Sequence, residues 1–387
     1  MKALFAHDNR FHKYDNSYFS TGLNASVFQR YLKVFDSLII CGREVQHLST
    51  DSPKGTLASI PNVVEFCNVK DKNAIAIWFN KKDRALIESL VRKVNFVIVR
   101  LDSIIGFIAL KYARKYNIPY VIELCTDPWD CYVNYGMKGK ILAPFITRKT
   151  KIEVRRAKNV IYVTNRYLQE KYPCNNNIIS ISNVDCIPKE DIAQIKLEKY
   201  LKFNKKDPIV LGTAGALLPF KGQRFVIEAL KKLRDKGISN IFYKMAGEGS
   251  DRDSLFKIVK KYGLEDYIEF CGSLNSSEMD LFYQSLDIYI QPSLQEGLPR
   301  TVIEAMSRGI FCLGARTAGI PELISENCIF EKRAVDEIVS ILENLSIDKL
   351  IREAKKNFYE SKKYSSDVLE KKRTVFFLNV IGLMRNK

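Results

Sequence analysis

The stretch Gln291-Pro292-Ser293-Leu294-Gln295-Glu296-Gly297-Leu298-Pro299-Arg300-Thr301-Val302-Ile303-Glu304-Ala305-Met306 follows the apolar run Ile288–Gln291 and leads through a turn-rich loop into a helical pattern. A short apolar run closed by proline reads as a buried strand, and the segment after the loop as the helix of a βα unit. Pro299 suits the first turn, where the N–H that proline lacks would be unpaired anyway. The stretch therefore sets Glu296 in a loop and Glu304 more than one turn along a helix. A loop carboxylate beside a sugar and a helical one accepting from ribose hydroxyls would hold a nucleotide-sugar by its two polyol ends. Backbone N–H groups near Leu298 and Arg300 would meet the phosphates between them. The alternative makes Glu304 an exposed helix residue or an i,i+4 partner of Arg308.

The same strand, loop and helix pattern extends in both directions, which implies an α/β fold with parallel sheets. One set of strand candidates is Ala3–Ala6, Leu38–Cys41, Val63–Phe66, Phe96–Val99, Tyr120–Leu124, Val160–Val163 and Ile178–Ile181. A second set is Ile209–Gly212, Ile241–Ala246, Ile268–Cys271, Ile288–Gln291 and Phe311–Gly314. Between them lies a lysine-rich stretch flanked by Pro188 and Pro208, which reads as an interdomain connection. A chain of 387 residues, at roughly 100 to 200 residues per domain, should hold two domains. The expected boundaries are 1–185, a connection over 186–207, 208–368, and a terminal helix over 369–387 packing back on the first domain.

Parallel sheets bind ligands at the carboxyl ends of their strands, which points to the loops after Gly212, Ala246, Cys271 and Gln291. The first, Thr213 to Gly222, is rich in small residues around Gly215 and ends in Lys221-Gly222. Small residues let a backbone approach a diphosphate, the following helix start adds oriented N–H groups, and Lys221 adds a full charge. A surface lysine before a turn glycine is the plain alternative. The second loop, Ala246-Gly247-Glu248-Gly249-Ser250, also opens a helix, but Arg252 stands where a dinucleotide fingerprint has its third glycine. That disfavours an NAD site.

Taken together, Gly215 to Gly222, Ala246-Gly247-Glu248-Gly249, Phe270-Cys271-Gly272-Ser273-Leu274 and the Glu296-Gly297-Leu298-Pro299 to Glu304-Ala305-Met306 block resemble glycosyltransferase family 4. The resemblance implies a retaining enzyme of the GT-B fold, with two facing Rossmann-like domains and a cleft between them. It implies that Lys221 holds the donor diphosphate, Glu304 the ribose, Glu296 the donor sugar, and that Leu274 lies against the base. Many members carry an arginine where this chain has Ala216, so neutralisation would lean on Lys221, with Arg300 as a substitute. The first domain, through Val99-Arg100-Leu101 with Gly106 and through Glu123 to Asp130, is similar to members that build bacterial surface polysaccharides on lipid-linked acceptors. On that side Asp127 is the candidate for orienting the acceptor hydroxyl, although Asp before Pro128 is also a good helix N-cap. His7 and His12, after the first strand and near the small-residue loop ending in Gly22, are the other acceptor-side candidates.

The implied donor is a UDP-sugar before a GDP-sugar, and no cofactor or metal is expected. Nine cysteines lack any CxxC pair and there are three histidines, which suits reduced thiols and leaves no zinc signature. The apolar window Asn95–Tyr112 is broken by Arg100, Asp102 and Lys111, short of the roughly 18 apolar residues of a span. The first residues return to charge before a signal core can form, so a cytoplasmic enzyme, peripheral on the inner face of the membrane, is expected. The net charge of +17 calls for anionic partners. Lys138–Lys158 holds eight basic residues against Glu153, interleaved with Ile141, Leu142, Phe145, Ile146 and Ile152, a pattern that suits an anionic membrane surface. A solvated helix face is the alternative. Two rival functions are a nucleotide-sugar epimerase of the same fold, which the sparse histidines support little, and a basic nucleic-acid-binding protein, for which no helix-turn-helix, RNP or zinc signature is present.

Overall fold

Runs such as Phe96-Val97-Ile98-Val99 and Ile288-Tyr289-Ile290 are β-branched, aromatic and fully buried, and both faces of a strand are covered only in the middle of an α/β sheet. The computed structural model describes residues 1–48, 53–134, 136–204 and 206–385. They divide into two compact units. Unit 1 comprises Met1–Val163, Leu168–Ile181 and Glu370–Lys387; unit 2 comprises Thr164–Tyr167 and Ser182–Leu369.

The strands of unit 1 are β1 (Lys2–Tyr14), β2 (Ser17–Ser20), β3 (Ser37–Gln46), β4 (Thr56–Leu57), β5 (Val64–Phe66), β6 (Val69–Lys70), β7 (Phe96–Leu101), β8 (Tyr120–Leu124), β9 (Asn159–Tyr162) and β10 (Asn177–Ser180). They run β10-β9-β8-β7-β1, with β3 on the other side of β1 and β5 and β6 beyond it, all parallel. The short antiparallel strands β2 and β4 pair beside the far end of β1. β1 is much longer than expected. It leaves β7 after Ala6, its register on β3 shifts between Ala6 and Arg10, and it then continues to Tyr14. The helix Ser366–Arg385 brings Phe377 into the core of this unit, with its ring 6.0 Å from Tyr31, 5.7 Å from Phe35 and 6.0 Å from Phe96.

Unit 2 holds β11 (Ile209–Ala214), β12 (Ile241–Ala246), β13 (Ile268–Gly272), β14 (Ile288–Gln291), β15 (Phe311–Ala315) and β16 (Ile329–Phe330). The order is β13-β12-β11-β14-β15-β16, all parallel. The chain moves outward from β11 in one direction and then crosses to β14 and moves the other way, so the topological switch point lies between β11 and β14.

The expected connection over 186–207 is instead mostly a packed part of unit 2. Helix Glu190–Leu201 buries Ala193, Lys196 and Tyr200 at i, i+3 and i+7. The Lys196 ammonium donates to the carbonyls of Gln284 (2.8 Å) and Leu286 (2.6 Å), and the Tyr200 hydroxyl to that of Asp287 (2.6 Å). Burial pushes the Lys196 pKa down to about 8. The stretch reads as a linker because its inward face includes a lysine.

Candidate functional site

At the switch point of unit 2 two loops meet. The loop after β11 ends in a single 3-10 turn, Pro219–Lys221, and the loop after β14 carries Glu296. The Lys221 ammonium donates to Glu296 Oε1 at 2.6 Å, and Gln291 Nε2 donates to the same oxygen at 2.9 Å. Gln291 is itself fixed: it is buried, and its Oε1 accepts from the Tyr289 hydroxyl at 2.7 Å, which turns the amide nitrogen toward Glu296. Beneath the pair, the Tyr243 hydroxyl donates to Thr213 Oγ1 (2.8 Å), which donates to the Ile290 carbonyl (2.7 Å) and ties β11 to β14. Burial lifts the Tyr243 and Tyr289 hydroxyls well above the ordinary tyrosine range, so they act here as neutral donors. Lys221 and Glu296 remain part-exposed, with side-chain exposures of 22% and 10%, and so can reach a ligand.

Glycine makes this approach of loops possible. Gly222 has φ +75°, and a Cβ there would lie 2.2 Å from the Pro292 carbonyl oxygen. Gly247 has φ +137°, and a Cβ would lie 2.0 Å from the Gly215 oxygen. Both demands, a left-handed backbone and no side chain, are met by glycine alone. Helix Gln223–Asp235 follows Gly222 directly, so its unpaired N–H groups and the positive end of its dipole open on the same loop.

Glu304 lies on the short helix Arg300–Met306, whose N-cap is Pro299. Its carboxylate accepts from the buried Tyr283 hydroxyl at 2.8 Å. Arg308 does not pair with that carboxylate. It donates to the Glu304 backbone carbonyl at 2.8 Å and forms its ion pair with Asp280, so the i,i+4 alternative does not hold. Gly297 gives its carbonyl to the Gly319 N–H at 2.8 Å, Leu298 is buried and Arg300 is exposed. Leu274, half-buried, precedes the capping box in which the Asn275 side chain accepts from Glu278 N and the Glu278 side chain from Asn275 N.

Residues 195–364, which carry every one of these groups, match the family described as Glycosyl transferases group 1. The chain carries a glycosyl transferases group 1 domain. Protein CapJ of Staphylococcus aureus is 29% identical to this chain over 371 residues, covering 94% of this chain and 90% of CapJ. A second relative, the "putative colanic acid biosynthesis glycosyltransferase WcaL" of Escherichia coli, is 30% identical over 123 residues, 30% of each chain. Among solved structures, sucrose-phosphate synthase of Thermosynechococcus elongatus superposes with a TM-score of 0.71 at 13% identity, covering 99% of both chains. Anabaena HepE in complex with UDP and glucose gives a TM-score of 0.66 at 15% identity, covering 98% of this chain and 99% of that one. The fold of the chain is GT-B.

The acceptor-side candidates of unit 1 are placed differently from expectation. Asp127 is fully buried. Its carboxylate caps helix Pro128–Val133 at Trp129 N (3.0 Å), pairs with Lys171 and accepts from the Tyr172 hydroxyl. With no exposed surface it meets no acceptor as placed, and it acts as the helix cap that Asp-Pro also suggests. His7 and His12 lie within β1, not after it. His7 Nδ1 is enclosed without a partner among the described residues, and burial, with Arg100 and Arg43 beside it, pushes its pKa down to about 3. His12 shares a 2.8 Å hydrogen bond with His47. Gly22 has open space around a would-be Cβ, with only Asn9 Oδ1 near at 3.8 Å.

Sequence reasoning missed Gln291, Tyr283 and Tyr289. The polar Gln291 closing an otherwise apolar strand was the available signal. Among the described residues no group of three or more His, Cys, Asp or Glu side chains is placed to hold a metal ion, and no helix is long and apolar enough to cross a membrane.

Proposed function

We propose that the chain is a retaining glycosyltransferase of family 4 that transfers a sugar from a nucleotide-sugar, UDP-linked before GDP-linked, to a lipid-linked saccharide in surface polysaccharide synthesis. The observation that carries this is the meeting of Lys221 and Glu296 across the switch point, with Glu304 on the helix that follows. A donor diphosphate would draw the Lys221 ammonium from Glu296, freeing that carboxylate for the sugar hydroxyls, while the start of helix Gln223–Asp235 meets the phosphate charge. Glu304, oriented by Tyr283, would take the ribose. This donor set supplies the positive field for the leaving diphosphate from the protein itself, so metal-independent transfer is the proposed mode. Retention would follow from same-face attack, with the leaving phosphate taking the acceptor proton. The resemblance to a HepE structure holding UDP supports the uridine preference, and the colanic acid and O-antigen biosynthesis names of relatives such as WcaL and WclY support the class of product.

The proposal includes peripheral docking on an anionic inner leaflet. Helix Gly136–Arg156 buries Gly139, Ala143, Ile146, Thr150 and Val154 and turns Ile141 (65% exposed), Phe145 (69%) and Ile152 (40%) outward among its basic residues. Each well-placed basic residue near such a surface contributes about 1 kcal/mol. Vesicle co-sedimentation that did not depend on anionic lipid would remove this part.

Thermal shift against UDP, GDP, ADP and their sugars tests the donor site. UDP and UDP-sugars should raise the melting temperature of the parent and leave Glu304→Ala unmoved; no response to any nucleotide would defeat the proposal. An inverted anomer in the product, read by NMR, would defeat retention.

A further inference from the structure

In unit 1 the helices Ala74–Phe79, Lys81–Arg92, Ile104–Lys115 and Gly136–Arg156 line a cavity of about 230 Å³ whose walls include Trp78, Arg84, Phe107, Lys111, Arg114 and Lys149. Four of these six are cations, and the one carboxylate in the lining, Glu153, is taken up by Arg114 and by Lys149 (3.2 Å). The lining thus carries a formal excess of three positive charges, four minus one. Arg84 and Lys111 have no carboxylate partner among the described residues. Arg84 Nε is buried and finds no hydrogen-bond acceptor there at all.

A buried N–H left unpaired costs about 1 to 3 kcal/mol, so native interiors keep few of them. The surroundings are ordered. The Lys149 ammonium lies 5.2 Å from the centre of the Trp78 ring and 5.1 Å from that of Phe107, which holds its charge in place by cation–π attraction. A buried guanidinium N–H without an acceptor at Arg84 and the neighbouring Lys111 ammonium, beside an aromatic wall, match a compact multiply charged anion better than a single carboxylate, because guanidinium and ammonium groups both donate strongly to phosphate oxygens.

We infer that this cavity binds a phosphate group, with Arg84 and Lys111 as its principal donors and the Trp78 and Phe107 rings against the organic part of the ligand. The site belongs to unit 1 alone and does not rest on the glycosyltransferase reading. A lipid headgroup and a soluble phosphoester share this chemistry.

The chain has two tryptophans, so Trp129→Phe leaves Trp78 as a reporter inside the cavity wall. The Trp129→Phe protein would be titrated with inorganic phosphate against chloride at matched ionic strength, and with phosphatidylcholine vesicles with or without phosphatidic acid. A saturable change in Trp78 emission is expected, weakened by about tenfold or more in Arg84→Gln and in Lys111→Gln. Lys111 is exposed, so its variant keeps the test alive if Arg84→Gln does not fold. Response to free phosphate assigns a soluble ligand, and response to phosphatidic acid vesicles alone assigns a headgroup. Equal response to phosphate and chloride with equal response to both vesicles, or binding unchanged in the folded variants, would overturn the inference.

Discussion

The two units share a plan: in each, the chain starts at a central strand, moves outward one way, then crosses and moves the other. Their switch points are used in opposite ways. In unit 1 the crossing lies between β1 and β7, and the helix start beside it, at Ile104, is filled by the chain itself. Asp8, at the end of the β1–β7 pairing, accepts from Ile104 N (2.7 Å), Ile105 N (2.8 Å) and Ser103 Oγ (3.0 Å). An internal carboxylate thus occupies the place where a phosphate would gain most from a helix start. In unit 2 the equivalent crossing, between β11 and β14, offers the part-exposed Lys221 and Glu296 instead. The difference teaches that two sheets of one plan can present different groups at the same topological place, a carboxylate that seals a helix start in one and a part-exposed ion pair in the other.

The comparison can be tested from both sides. The largest expected effect is on the sealed side. Glu123, buried at the end of β8, accepts from Arg100 Nη2 (2.8 Å) and from the Tyr31 hydroxyl (2.7 Å). Burial alone would raise its pKa, but Arg100 and Tyr31 hold it below the usual carboxylate range. Glu123→Ala strands the Arg100 charge and should cost about 3 to 5 kcal/mol in urea unfolding; a loss under about 1 kcal/mol would show that the pair is dispensable. On the open side, Lys221→Ala should lower turnover by about 10²- to 10³-fold with little change in melting temperature; near-normal turnover would remove it from the reaction. Asp8→Ala should cost about 1 to 2 kcal/mol, the value of a buried helix cap, and leave nucleotide binding unchanged.

The smallest effect is the pH dependence of His7. In the unfolded chain a histidine takes a proton below about pH 6.5, whereas folded His7 stays neutral down to about pH 3. Between those values the unfolded state binds more protons, so the fold loses stability as pH falls. Asp102, which burial pushes up to about 6, opposes this: below that pH the fold holds the extra proton. His7→Asn should therefore flatten the acid limb of a stability curve, and an unchanged slope between pH 6.5 and pH 3 would show that His7 is not enclosed in solution.

Most strands are legible because burial on both faces writes itself as continuous β-branched runs, as in Phe96–Val99 or Ile288–Gln291. The second half of β1 is not, since His7–Tyr14 is a mostly polar run around Phe11, and such a run looks like a loop even though β3 and β2 flank it. The helix Glu190–Leu201 is hidden by its buried lysine. At the site, Lys221 and Glu296 stand out separately as loop residues, but their encounter depends on which strands are neighbours, a fact of topology. The hydroxyl of Tyr283 meets Glu304 for the same reason. Asp127 shows the converse: its local signal, an N-cap before proline, describes its position better than its apparent place in an acceptor loop.

The helix Ser366–Arg385 has a consequence for synthesis. Most of unit 1 precedes unit 2 in the chain, yet the ring that fills the space among Tyr31, Phe35 and Phe96 is Phe377. On the ribosome, unit 2 would possess all of its sequence while unit 1 still waited with an unfilled core. A chain stopped after Leu369 should accordingly bind hydrophobic dye through unit 1 while unit 2 melts as before, and failure to bind dye would show that unit 1 closes without its last helix. The earlier part of the message is then the later part of the fold, and the nascent chain has an aromatic pocket to protect until Phe377 has been made.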